Sequence, residues 1–336
     1  MSIARIMMQA AGASGGATGS YIAVGHRGEP YFTLLDHTTP GSVSFAASYT
    51  LTREAFNTAF SPDGNYIAVA QSLSPEFVLL NHTTPGSVSL ATTYDMSSSA
   101  LSTAFSPDGN YIAVVNNNAP TFTLLNRATP GSVSVAATYA LAATGRDVAF
   151  SPDGKYIAVG HSAPGANPTF TLLNHTTPGS VSLAATYSIA GAAIGVAFSP
   201  DGNYIAVGSS NSPRFTLLDH TTPGSVSLAA TYTLASSVNR TAFSPDGDYI
   251  AMVHDSAPHF TLLNHTTPGS VSLAATYTLP GVGNGVAFSP DGNYIAAAHR
   301  VSPYFTLLDH TTFGSVSLAA TYTLPEEGES VAFSPT

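Results

Sequence analysis

The sequence has no cysteine, no tryptophan and a single lysine, and charged residues fill only 8% of its 336 positions. Without cysteine there is no disulfide framework and no thiolate metal site. Lysine and arginine total 9 against 19 acidic residues. The resulting net charge of −10 makes nucleic acid and anionic membrane poor partners. No apolar run approaches the ~20 residues of a membrane helix, so insertion into a membrane is not expected. The opening MSIARIMMQAAGASGG has one arginine and a short apolar stretch broken by Gln9, a poor secretory signal. Residues 1–20 read instead as an arm able to dock on a partner, running into a glycine-rich linker.

What fills the rest is a repeat. The tyrosines of successive YIA segments stand at Tyr21, Tyr66, Tyr111, Tyr156, Tyr204, Tyr249 and Tyr294. All steps are 45 residues except one of 48, which carries an insertion in HSAPGANPTF (161–170). A period near 45 with no helical pattern predicts propeller blades. One period reads as four strands: VAFS, YIAVG, FTLL and VSLAATYTL. PDG and (N/D)HTTPGS are the tight turns between them, with glycine free to take the positive φ that such turns require. Several strands are apolar on both alternating sets, as expected for sheets covered on both faces. The expected fold is all-β: one seven-bladed propeller over 21–336.

The ends of the chain fit a closed ring. SVAFSPT stops at the last residue, while the first YIA has no AFSPDG before it. The C-terminal strand, 330–335, is expected to pair beside the strand of Tyr21 and complete the first blade.

The wording VAFSPDGNYIAVGHS…FTLLDHTT resembles WD40-like seven-bladed propeller repeats over 21–336. It departs from them in lacking tryptophan, and LLDH stands where that family carries LWD. The phrases VAFSPDG, YIAV and SPxFTLL after an Ala/Gly-rich leader are most similar to propellers of bacteriophage virion proteins. SPDG phrases also occur in lactonase-like and surface-layer propellers.

The loops divide unequally. SPDG and HTTPGS scarcely change, whereas blade-to-blade loops and second-to-third-strand loops vary and hold most of the arginine and glutamate. Specific recognition is expected on that variable face. Tyr31 and Tyr304 are the two tyrosines outside the repeat, at matching positions in GHRGEPYF and AHRVSPYF of the first and seventh blades. With His26, Arg27, His299, Arg300, Arg53 and Phe56, and Glu326, Glu327 and Glu329 nearby, they form a candidate ligand-binding seam for a sugar or peptide. The plainer alternative is that these side chains decorate exposed loops and pair with the glutamates.

Other candidates read as structural. His37, His82, His175, His220, His265 and His310 recur at one repeat position, where Arg127 stands in the third blade. Each histidine is alone in its turn, so no metal site is expected; hydrogen bonding within the HTTPGS turn is. A joint pH response of these imidazoles is the remaining idea. The SPDG aspartates are expected to shape their turns, and the Asp or Asn before each histidine to cap the next.

The channel mouth is expected three residues before each AFSP phenylalanine, at Asn57, Ser102, Asp147, Gly195, Arg240, Gly285 and Ser330. Asp147 and Arg240 could hold an ion or small polar ligand, but the set lacks an acid–base constellation. The sequence therefore predicts a non-enzymatic protein without cofactor. The resemblance implies a virion component, on tail, fibre or capsid, joined to other virion proteins through its arm and meeting a host-surface glycan or protein. The alternatives are a secreted or periplasmic bacterial ligand-binding propeller and a lactonase-like enzyme.

Overall fold

The computed structural model describes residues 21–162 and 168–335. The predicted arm, 1–20, and the centre of the insertion, 163–167, lie outside the described residues. The chain forms seven four-stranded antiparallel sheets. Each blade runs in strand order from the channel outward, and we number the blades from the one that holds Tyr21.

Blade 1 contains both ends. Its innermost strand is Gly328–Phe333, followed outward by Tyr21–His26, Tyr31–Asp36 and Ser44–Thr50. Ile22 faces Phe333 and Val24 faces Val331 across the closing pair. The closing strand thus begins two residues earlier than the sequence indicated.

The apolar double-sidedness of the strands has a direct cause: neighbouring blades sandwich each sheet. In Tyr21–His26 successive side chains point to opposite faces. Tyr21 and Ala23 pack with Ile67, Val69, Val78 and Leu80 of blade 2. Ile22 and Val24 pack with Tyr294, Ala296, Ala298 and Phe305 of blade 7. The third strand of every blade contributes a fully buried phenylalanine: Phe32, Phe77, Phe122, Phe170, Phe215, Phe260 and Phe305. There is no single core; seven inter-blade seams of this kind hold the disc together.

The SPDG turns behave as expected. Ser61 Oγ donates to Asp63 Oδ1 at 2.5 Å and the Asn65 N–H donates to the same oxygen at 3.1 Å. Gly64 takes φ of 70°, a left-handed conformation costly for residues with a Cβ. The Asx residues cap as expected too, with the Thr38 N–H donating to Asp36 Oδ1 at 2.8 Å.

The repeated histidines do not bond within HTTPGS, except in blade 1. His82 Nδ1 reaches the carbonyl of Gly64, in the other turn of its blade, at 2.9 Å. Its ring stands edge-on to Phe60 of its own blade and Tyr21 of blade 1. The same arrangement recurs at His175, His220, His265 and His310. In blade 1 His37 Nδ1 reaches the Ser42 carbonyl at 2.8 Å instead. These rings are wedges between blades. Burial lowers the pKa of His82, which opposes charging near pH 6.

Candidate functional site

The channel mouth is built by a β-bulge repeated in every blade. Between innermost and second strands, Ala55 pairs with Gln71 and Asn57 with Ala70, leaving Phe56 as the extra residue. The register shift recurs in the other six blades and singles out Leu101, Arg146, Ile194, Asn239, Asn284 and Glu329. A bulge re-aims the side chain that it carries. All seven line one depression of about 300 Å³ on the variable face, together with Arg240 and Arg300. That volume lies at the lower end for small-molecule sites.

Going round the ring, Phe56, Leu101, Arg146 and Ile194 form one arc, and Asn239, Asn284 and Glu329 the other. Three of the chain's eight arginines thus line one depression with a single carboxylate, in a protein of net charge −10.

Glu329 is bonded by Arg27 Nε, which also lies 3.4 Å from Glu327. Its side chain is only 11% exposed. Burial raises its pKa above the usual carboxylate value, with Arg27 and Arg300 opposing. Arg300 Nε donates to Asn284 Oδ1 at 3.1 Å, and Asn284 Nδ2 donates to the Gly328 carbonyl at 3.0 Å. Asn239 Nδ2 donates to Asp255 and to the Gly283 carbonyl, both at 2.9 Å. Arg240 Nη1 donates to the carbonyls of Asn239 at 3.0 Å and Ile194 at 3.3 Å. Arg146 Nε donates to Ser162 Oγ at 2.7 Å.

The mouth predicted from sequence lies one residue too far along each strand. Asn57, Ser102, Asp147 and Ser330 point sideways into the neighbouring blade, and Gly195 and Gly285 have no side chain. Asp147 is 5% exposed, accepts from Ser102 Oγ at 2.6 Å and from the Val196 N–H at 2.9 Å. Arg240 is the member of that set that reaches the mouth. Its Nε lies 4.0 Å from Asp147 Oδ1, passing blade 5 where Gly195 has no side chain.

The structure distributes the seam residues over several places. His26 and His299 are fully buried, with Nε2 against Thr33 Oγ1 at 3.0 Å and Thr306 Oγ1 at 2.9 Å. Burial brings both down to about 4. Tyr31 packs into the seam between blades 1 and 2, and Tyr304 into that between blades 7 and 1. Arg53 is exposed. Phe56 and Arg300 line the mouth, and Arg27 acts on it through Glu329.

Leu101, Arg146, Ile194, Asn239 and Asn284 were missed as mouth residues. Their signal was available: the residue just before the predicted position is the bulkier of the two in six of the seven blades, whereas the predicted position includes Gly195 and Gly285. Among the described residues, no three His, Asp or Glu side chains converge closely enough to hold a metal ion.

Comparison with known proteins gives the following. Residues 167–215 match the family described as WD domain, G-beta repeat. No curated protein sequence matches the chain. Among solved structures, the chain is similar to the periplasmic gluconolactonase PpgL of Pseudomonas aeruginosa, with 16% identity, a TM-score of 0.80, and 94% of this chain and 99% of that one covered. It is similar to a candidate 6-phosphogluconolactonase of Bacteroides uniformis, with 16% identity, a TM-score of 0.82 and the same coverage. A candidate 6-phosphogluconolactonase of Bacteroides fragilis gives 12% identity and a TM-score of 0.80, with 94% and 98% covered. At these identities the likeness establishes the fold.

Two expectations are corrected. The non-enzymatic reading rested on a mouth of small neutral residues, but Arg146 and Glu329, re-aimed by the bulge, line it with Arg240 and Arg300, and the similar folds carry lactonase names. The phage virion reading has no counterpart in these three structures, which carry lactonase names.

Proposed function

We propose that the chain hydrolyses a lactone at the channel mouth. The observation that carries this reading is Glu329: a desolvated carboxylate with a raised pKa, sharing a depression of about 300 Å³ with three guanidinium groups. A perturbed carboxylate in such a cleft is a candidate general base. The lactonase names of the similar folds support the same reaction class.

In the proposed reaction Glu329 takes a proton from water as the water oxygen attacks the lactone carbonyl carbon. The carbonyl oxygen gains the negative charge. Arg300, whose charge acts on Glu329, and Arg240 stabilise it through preorganised donors. The tetrahedral species collapses by breaking the ring C–O bond. The departing alkoxide takes the proton from Glu329, leaving a hydroxy acid. Arg27 holds Glu329 in place and keeps it ionised against the effect of burial.

The test is pH-stat titration of lactone opening by the purified protein, with glucono-δ-lactone among the substrates. Glu329→Gln is expected to lower the rate by roughly 10²–10⁴-fold. A Glu329→Gln protein as fast as the parent, or a parent that opens no lactone, overturns the proposal.

A further inference from the structure

The mouth is chemically two-sided, and this bears on which lactone fits. This argument rests on the reaction proposed above. Asn239, Asn284 and Glu329 form one arc, with Arg300 bound to Asn284. Facing them across the ring are Phe56, Leu101 and Ile194, half-buried and apolar, with Arg146 between the last two. A polyhydroxylated sugar lactone has hydroxyls on every side. Those turned toward Phe56 and Leu101 would lose water without gaining a partner, which is costly, and the Arg240 Nη1 beside Ile194 is already taken by the Asn239 and Ile194 carbonyls. An apolar arm would instead fill that arc.

Arg146 adds a second feature. It is exposed and has no acidic partner among the described residues. By contrast Arg27 is paired with Glu327 and Glu329, and Arg240 lies near Asp147. Arg146 stands on the far side of the ring from Glu329, the proposed base. A guanidinium so placed matches a carboxylate or phosphate at the end of a substrate away from the reacting carbonyl.

We infer that the substrate is a lactone bearing an apolar arm that ends in an anionic group, the ring lying at Glu329, Asn284 and Arg300, the arm on Phe56, Leu101 and Ile194, and the anion at Arg146.

The experiment compares three substrates on the full chain: a γ-lactone with a straight carboxyalkyl chain, its methyl ester, and glucono-δ-lactone. The acid is expected to have the highest kcat/KM. Arg146→Gln raises KM for the acid about tenfold, the size of one charge-assisted contact, and moves KM for the ester far less. A preference for glucono-δ-lactone, or an Arg146→Gln protein that treats acid and ester as the parent does, overturns the inference and leaves the lactonase reaction standing. If no lactone is opened, the reaction fails and binding decides the ligand class. Calorimetry with the ring-opened hydroxy diacid then supports the inference if binding is seen and Arg146→Gln weakens it. It overturns the inference if the parent does not bind.

Discussion

The backbone N–H of Tyr21 donates to Ser334 Oγ at 2.9 Å, and the N–H of Ser334 donates to the Tyr21 carbonyl at 2.8 Å. Residues 313 apart in sequence are thereby locked at the point where the ring closes.

A chain ending at Glu327 lacks the innermost strand of blade 1. It uncovers the hydrogen-bonding edge of Tyr21–His26 and the buried side chains of Ile22 and Val24. An open edge beside lost apolar packing exposes the ring to both unfolding and association. Thermal melting should drop sharply, and a peptide of residues 328–336 added in trans should recover part of the loss. Equal melting of short and full chains would place closure elsewhere.

Arg127 replaces a wedge histidine without losing its contacts. Its Nε donates to the Gly109 carbonyl at 2.8 Å, as the histidine Nδ1 atoms do to the equivalent glycines. Its guanidinium lies 4.7 Å from the Tyr66 ring centre and 5.5 Å from that of Phe105, in place of an edge-on imidazole. Arg127→His should therefore change stability by less than about 1 kcal/mol, an exchange of one wedge that bonds the glycine carbonyl for another. Arg127→Ala should cost about 2 kcal/mol or more, since it vacates the seam and orphans the carbonyl. Chemical denaturation of both variants distinguishes the two.

His26 and His299 make stability depend on pH. Both have folded pKa values of about 4 against 6.5 in the free side chain. Between those values the unfolded chain binds the proton and the folded one does not, so acid favours unfolding. The stabilisation is fully present above pH 6.5, falls as pH drops toward about 4, and levels off below, by about 3 kcal/mol per histidine at most. Blade 2 carries Gln71 at this position, where Nε2 donates to Thr52 Oγ1 at 3.0 Å. The double variant His26→Gln, His299→Gln should flatten the slope of stability against pH between 6.5 and 4. A parallel slope in parent and variant would assign the acid sensitivity to other groups.

The fold was legible because its determinants are local and repeated. The 45-residue step, the PDG turns and the two-sided apolar strands each belong to one blade, and seven copies reinforce them. The orphan SVAFSPT and the unpreceded Tyr21 even marked the closure. The site was legible only to within one residue. Strand alternation carries phase from Phe60 back to Asn57, but the bulge at Phe56 inserts an unpaired residue and re-aims it. Period-two reasoning cannot see an insertion that every blade shares, because no blade serves as the unshifted reference. The seam failed for a different reason. Tyr31 and Tyr304 are adjacent in blade order, yet a blade has two faces, and each tyrosine went into a different inter-blade gap.

Gly195 links the packing beneath the mouth to the arginine above it. A Cβ built on Gly195 would lie 2.9 Å from Arg240 Cα and 3.2 Å from the Thr241 nitrogen. Those are backbone atoms of the neighbouring innermost strand, which cannot swing aside as a flexible side chain would. Gly195→Ala should therefore destabilise the protein by about 1–3 kcal/mol, as overpacking does, by pushing blade 6 outward. The same push moves Arg240 off its path to Asp147, now spanned at 4.0 Å over the bare glycine. If Arg240 stabilises the oxyanion, kcat should fall in this variant more than KM rises, since the lost contact forms in the transition state. Asp147→Asn provides the control: its Oδ1 can accept from the Val196 N–H while its Nδ2 donates to Ser102 Oγ, and the charge beside Arg240 is removed. A fall in kcat shared by both variants would trace to Arg240. A Gly195→Ala protein with parental stability and kcat would mean that the strand shifts freely and that Arg240 does not act on the reaction.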